Sequence, residues 1–265
     1  MIAIVTGASS GIGYEVCAQL RDLGYIVYGL SRRGTAPEGV NGCVCDVTDE
    51  TAVKACIDGI AAANGRIDLL IANAGMGISG PIELTSDADA RNLIDVNFYG
   101  QWYAAKAVLP YMRAQAGAAG SAVKPGTIVF TSSVAAPIAI PYQAFYSASK
   151  AAVNSLALAL RNEVSGYGIR VCAVMPGDSG TGFTDARRKT AGSDAYPRCE
   201  RAVSSMEKDE RNGIAPAKVA AVIVRAAGKK NPAPLYVAGF KYRLLLTLYN
   251  ILPARLAVWL VGKVY

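Results

Sequence analysis

Tyr146 and Lys150 stand four residues apart at the start of an Ala-rich run with a helical pattern, so their side chains share one face. A free tyrosine has a pKa of about 10 and is a poor base near neutrality. A neighbouring ammonium favours the phenolate and lowers that value. The pair thus offers proton transfer without histidine, which the chain lacks entirely. That absence excludes Ser-His-Asp and Cys-His nucleophile pairs, a histidine general base and every histidine-liganded metal site. The six cysteines, at 17, 43, 45, 56, 172 and 199, show no C-x-x-C spacing, and no metal is expected. On spacing alone, Tyr-x-x-x-Lys fits a solvated helix face equally well. Its surroundings favour chemistry: Ser132-Ser133 ends a predicted strand, Asn73-Ala74-Gly75 ends another, and Asn97 lies within a helical pattern.

A second constellation opens the chain. Thr6-Gly7-Ala-Ser9-Ser10-Gly11-Ile12-Gly13 follows an apolar strand and leads into a helix. Gly7 allows the tight turn, Gly11 lets the backbone approach a pyrophosphate, and Gly13 lets the helix sit close to the sheet. The helix N-terminus offers free N–H groups to phosphates. The next strand ends Gly29-Leu-Ser31-Arg32-Arg33, where a site for NAD places an acid. A guanidinium binds a 2′-phosphate that a carboxylate would repel, so Ser31 and Arg32 predict NADP(H) over NAD(H). Arg33 reads equally as a phosphate ligand or a solvated turn charge.

These residues need a frame that brings strand ends together. Strands are predicted at 2–6, 26–30, 43–45, 67–72, 127–131, 169–174 and 235–238, with helices near 12–23, 50–64, 87–114, 145–165 and 216–227. Continuous apolar strands alternating with helices predict one doubly wound parallel sheet of Rossmann type, helices on both faces, ligands at the C-terminal strand ends. The 265 residues, 52% hydrophobic and 18% charged, exclude disorder and suit a large core. The catalytic domain is expected over 1–239, with 177–212 as a lid or binding loop and 114–126 as a surface loop. Residues 240–265 are expected to form a helical extension broken at Pro253.

Taken together, the chain resembles the short-chain dehydrogenases/reductases over about residues 1–180. Five motifs carry the resemblance: Thr6-Gly-x-x-x-Gly-x-Gly13, Asp46 after the third strand, Asn73-Ala-Gly75, the Ser133/Tyr146/Lys150 set, and Pro176-Gly177. It implies hydride transfer between a nicotinamide and a carbonyl or alcohol carbon. It also implies that Tyr146 protonates the carbonyl oxygen, Lys150 lowers the tyrosine pKa and holds the ribose, and Ser133 hydrogen-bonds the substrate oxygen. Asn97 would hold a water in a proton relay. Asp46 and Val47 would border the adenine, Asn73, Ala74 and Gly75 the adenine ribose, and Pro176, Gly177 and Thr181 the nicotinamide side. A homodimer or homotetramer is expected.

The expected substrate wall, Met76, Ile78, Pro137, Ile138, Ile140, Tyr142 and Phe183, is mostly apolar and suits a bulky hydrophobic substrate. The stretch 134–142 resembles the corresponding loop of hydroxysteroid and retinol dehydrogenases. The leading expectation is an NADP(H)-dependent oxidoreductase acting on a steroid-, retinoid- or lipid-like carbonyl or alcohol. The alternatives are an acyl-lipid keto reductase at a membrane surface and, in another class, a non-catalytic NADP(H)-binding regulator.

Net charge is +7, but residues 211–265 hold nine Lys/Arg and no Asp or Glu, leaving the first 210 residues with two more acids than bases. The tail interleaves these charges with leucines, which does not suit nucleic acid. A membrane surface and a buried cap or subunit interface both explain it. The opening residues lack the charged region of a secretory signal, so a cytoplasmic protein is expected, with peripheral membrane contact through 240–265 left open.

Overall fold

A computed structural model of the chain describes residues 1–117, 125–190 and 194–264. In chain order its elements are β1 (Ile2–Thr6), α1 (Gly11–Asp22), β2 (Ile26–Ser31), β3 (Asn41–Val44), α2 (Glu50–Asn64), β4 (Leu69–Ala72), β5 (Ile78–Ser79), α3 (Asp87–Ile94), α4 (Gly100–Gly117), β6 (Thr127–Thr131), α5 (Ala144–Glu163), β7 (Arg170–Pro176), β8 (Arg188–Lys189), α6 (Cys199–Arg211), α7 (Pro216–Gly228), β9 (Leu235–Ala238), α8 (Phe240–Ile251) and α9 (Ala254–Val264). Seven strands form one parallel sheet in the order β3-β2-β1-β4-β6-β7-β9.

The central strands are buried on both faces, which is why β1 and β6 read as unbroken apolar runs rather than alternating ones. One face packs Val16 and Leu20 of α1 with Val219 and Ile223 of α7. The other packs Val53 and Ile57 of α2, Val108 and Met112 of α4 and Val153 of α5 against Ile4, Leu70 and Phe130. The order changes direction between β1 and β4. The strands there part their following connections to opposite sides, so a crevice opens at their C-terminal ends.

The expected helix over 87–114 is broken into α3, a π-helical turn at Asp95–Tyr99, and α4. A π turn holds an extra residue and often marks a functional site; here it contains the buried Asn97. Helix α4 also runs on to Gly117, so 114–117 are helical rather than loop. Of the expected 114–126 loop, 118–124 lie outside the described residues.

The segment 177–212 carries two elements that its composition hides. Strand β8 pairs in parallel with β5 in a separate two-stranded sheet, and α6 fills most of the remainder. Helix α6 is mainly charged and buries Cys199, Ala202, Met206 and Glu207. The stripe keeps the helical period, but it is set in a segment so polar overall that it reads as a surface loop. Beyond β9, α8 and α9 form two helices that meet at Pro253, whose ring cannot continue a helix.

Candidate active site

A cleft of about 680 Å³ lies along the C-terminal strand ends. Its phosphate-cradling end is built from the first turn. Gly7 and Gly11 have φ of 71° and 56°, a region that favours glycine. A Cβ on Gly13 would stand 2.2 Å from the Gly7 oxygen, so only glycine lets α1 approach this closely. A Cβ on Gly11 would meet Thr181, which places that residue opposite the turn. The N-cap of α1, Ser10, makes no side-chain cap bond, so the helix start presents its N–H groups to the cleft. Bare main chain, a dipole end and no side chain in between fit the pyrophosphate of a dinucleotide.

Thr6 is fully buried behind this turn. Its hydroxyl oxygen accepts from Asn73 N at 2.9 Å and Ala74 N at 3.0 Å, and Asn73 Nδ2 donates to Thr6 O at 3.1 Å. Thr6 and Gly13 therefore shape the cleft from below without lining it. Ser31 lines the cleft, but its hydroxyl donates to the Thr35 carbonyl at 3.1 Å and so braces the turn. Arg32 and Arg33 are exposed and both line the same end. Asp46 accepts from Thr48 N and Thr48 Oγ1 at 3.0 and 2.9 Å, and Val47 lies buried beside it.

At the other end, Ser133, Tyr146 and Lys150 all line the cleft. Ser133 follows β6, while Tyr146 and Lys150 lie in the first two turns of α5. Lys150 Nζ donates to the Thr131 carbonyl at 2.9 Å and lies 5.8 Å from the Tyr146 ring centre. Burial presses the lysine pKa down to about 8. The phenol moves the other way, up to about 12. Burial is the main cause; the Ser133 hydroxyl and the Arg187 guanidinium pull it down, while Glu210 and Asp178 push it up. The expected lowering by Lys150 is thus not what the structure displays: burial raises the phenol, and the groups that pull it down are Ser133 and Arg187.

Asn97 is fully buried behind the cleft wall. Its Oδ1 accepts from Met76 N at 2.7 Å, and its Nδ2 donates to Met76 O at 3.0 Å and Ser149 Oγ at 3.1 Å. The side chain is thereby occupied by protein partners and pins the turn after Gly75. Asn97 Oδ1 and Lys150 Nζ nevertheless converge on one point, 3.3 and 3.4 Å from where a Gly75 Cβ would stand.

Met76, Ile140 and Phe183 line the cleft; Ile78, Pro137, Ile138 and Tyr142 do not. Ile78 is buried in β5, and Ile138 packs against Met175 and Leu246. Tyr142 adopts a left-handed φ of 61°, and its carbonyl accepts from Gly80 N at 2.8 Å, a turn role. Pro137 is half-buried in the loop alongside.

The segment 177–212 contributes residues that sequence reasoning missed. Met206 and Glu210 of α6 reach the cleft wall, as does Gln143 at the α5 N-cap. Glu210 pairs with the buried Arg187 and accepts from Thr184 Oγ1 at 2.7 Å. Arg187 stacks over Phe183 at 5.7 Å, and the Phe183 ring lies 5.7 Å from that of Tyr146. Gln143, three residues before Tyr146, was the one reachable from spacing. Pro176 and Gly177 also line the cleft; a Cβ at Gly177 would strike the Tyr242 ring of α8 at 2.3 Å, and Tyr242 Oη donates to Asp178 Oδ2 at 2.7 Å.

Comparison with known proteins agrees with this architecture. The family model described as short chain dehydrogenase matches residues 1–192. A 3-ketodihydrosphingosine reductase of Bacteroides thetaiotaomicron is 41% identical over 236 residues, 87% of this chain and 85% of the relative. An NADPH-dependent 1-acyldihydroxyacetone phosphate reductase of Saccharomyces cerevisiae is 32% identical over 199 residues, 70% of this chain and 63% of the yeast protein. The crystal structure of a short-chain dehydrogenase from Streptomyces avermitilis superposes with a TM-score of 0.83 at 27% identity, covering 94% of this chain and 91% of that one. The glycine cradle at a helix N-terminus suits the nicotinamide dinucleotide used by short-chain dehydrogenases. The chain belongs to the short-chain dehydrogenase/reductase family and is an oxidoreductase acting on CH–OH or keto groups.

Proposed function

We propose that the protein is an NADP(H)-dependent reductase of a bulky, lipid-like ketone. The observation that carries this reading is the placement of Ser133, Tyr146 and the buried Lys150 at one end of a cleft whose other end presents Arg32 and Arg33. Catalytic roles follow from that placement. The dinucleotide, when bound, supplies the hydride. The Tyr146 phenol, protonated at neutral pH, gives its proton to the carbonyl oxygen. Ser133 donates to the same oxygen and orients it. Lys150 stays charged near neutrality and stabilises the phenolate left behind. Asn97 is a positioning residue, holding the Met76 turn against Lys150.

Gly7, Ser9, Ser10, Gly11 and Ile12 would receive the pyrophosphate, with Asp46, Val47 and Asn73–Gly75 along the adenosine and Pro176, Gly177 and Thr181 near the nicotinamide. Arg32 would bind the 2′-phosphate. Lipid-like substrates are favoured by the names of the two curated relatives above, one of which includes NADPH. Met76, Ile140, Phe183 and Met206 supply apolar wall. The unit over 1–239 would act as the catalytic body, with 177–212 closing over substrate. The six free thiols suit the cytoplasm. The half-exposed aromatic cluster of Tyr99, Trp102 and Tyr103 suits a homo-oligomer contact.

The test is NADPH oxidation with a panel of keto-lipids, steroid ketones and retinal. The expected outcome is highest kcat/KM for a keto-lipid with NADPH. A preference for NADH, or tight NADPH binding with no turnover of any ketone, would overturn the reading, the latter in favour of a regulator.

A further inference from the structure

Helices α8 and α9 pack one stripe on the protein and leave the rest uncovered. Tyr242, Leu246 and Ala257 are buried, and Leu246, Tyr249 and Val261 meet Ile138 and Met175. Half of the large apolar side chains exposed among the described residues lie between Phe240 and Val264. Phe240 is 79% exposed, Ile251 71% and Trp259 56%. An apolar patch this concentrated marks a surface that meets something.

Its charge says what. Lys241, Arg243, Arg255 and Lys263 are all exposed, and residues 211–265 contain no carboxylate side chain. Among the described residues, Lys241, Arg243 and Arg255 form no ion pair. Lys263 lies 5.6 Å over the Trp259 ring, a pairing suited to the level of lipid headgroups. Neither helix can cross a bilayer: α8 has 12 residues and α9 has 11, against roughly 20 needed to span. A second copy of the chain fits poorly. A two-fold contact sets a patch against itself, and this segment would bring basic groups together with no acid of its own to meet them.

We propose that α8 and α9 dock in the plane of an anionic lipid bilayer, apolar faces in the acyl boundary and Lys/Arg among the headgroups. The docked helices also border the cleft. Leu246 of α8 packs with Ile138 and Met175 in a small cluster against which Tyr249, Val261, Val134 and Ile140 also pack; Val134 and Ile140 line the cleft, as does Asp178, which accepts from Tyr242 Oη. A bilayer seated there would supply an amphipathic ketone directly to the mouth; this part rests on the proposed keto-lipid reduction.

The experiment uses the full chain and phosphatidylcholine vesicles with and without phosphatidylglycerol. Sedimentation is expected only with the anionic vesicles, weakening as salt rises. In a Trp102→Phe background, Trp259 emission should shift to the blue on those vesicles. The triple variant Lys241→Gln/Arg243→Gln/Arg255→Gln should lose roughly a hundredfold in vesicle partition. Its melting temperature and its kcat/KM for a soluble ketone should hold, while kcat/KM for a vesicle-embedded ketone falls. No anionic-vesicle binding, equal binding to neutral vesicles, or an unweakened triple variant would overturn the proposal. So would a blue shift of Trp259 on concentrating lipid-free protein, which would make the occupant a second copy. Vesicle binding without turnover of any ketone would sink the catalytic reading and leave the docking intact.

Discussion

Lys150 donates from Nζ to the main-chain oxygen of Thr131, the last residue of the strand that leads into Ser133. One hydrogen bond thus ties the first turns of α5 to the end of β6 and sets the spacing between the two halves of the catalytic group. It also holds an ammonium out of water, with its pKa near 8.

That value sets a pH dependence. Lys150 is charged below about pH 8 and discharges above it, while Tyr146, near 12, keeps its proton throughout. In the reductive direction, kcat/KM should be flat toward neutrality and fall above about pH 8. Lys150→Arg keeps the charge and should move the falling limb upward in whatever activity remains. A pH profile of kcat/KM checks both; a wild-type profile that stays level well past pH 8 contradicts the assignment. The folded pKa lies below the ordinary lysine value of 10.5, so the fold carries the charged lysine at a cost below about pH 8, relieved as pH rises toward 10.5.

Tyr146→Phe removes the proton donor and little else. Turnover should drop by at least about a hundredfold, the lower range for general acid catalysis. NADPH affinity, measured by fluorescence titration, should change by less than about twofold, because the ring that packs against Phe183 is retained.

Arg32→Ala should separate the two cofactors. A lost charge-assisted contact to the 2′-phosphate costs about 1.5–3 kcal/mol, so the NADPH dissociation constant should rise about 10- to 150-fold. Binding of NADH should barely move. Arg33→Ala, titrated alongside, shows whether the second guanidinium shares the phosphate or only solvates its turn.

Asn97→Ala should lower stability rather than act on chemistry alone. It strips partners from both main-chain groups of Met76 and from Ser149. Leaving such groups buried and unsatisfied costs about 1–3 kcal/mol each. The two Met76 groups together amount to about 2–6 kcal/mol, so a melting temperature lower by roughly 5–20 °C is expected in calorimetry.

Much of this site was legible because its residues sit where glycine and strand-end rules are strict. The turn from Thr6 to Gly13 admits few alternatives, since a Cβ at Gly7 or Gly13 would meet main chain within 3 Å. The continuous burial of β1, β4 and β6 likewise wrote itself into apolar runs. What escaped reading depends on contacts far apart in the chain. Strand β8 is two exposed basic residues that become a strand only because Ile78 and Ser79 lie alongside. Helix α6 buries four residues in thirteen, spaced at the helical period, but the segment is so polar overall that it reads as a loop. The rise of the Tyr146 pKa comes from burial among residues distant in the chain, Phe183 among them, and i, i+4 spacing to Lys150 says nothing of such packing.

The π turn at Asp95–Tyr99 bears on how the chain tolerates length change. Such a turn stores one surplus residue between two helices that stay in phase with each other. Excising a single residue there should let α3 and α4 anneal into one continuous rod, with Val108 and Met112 still seated on the sheet. The loss would fall on the one carboxamide that secures Met76, so a deletion there should leave sheet and helices assembled while lowering the melting temperature as Asn97→Ala does.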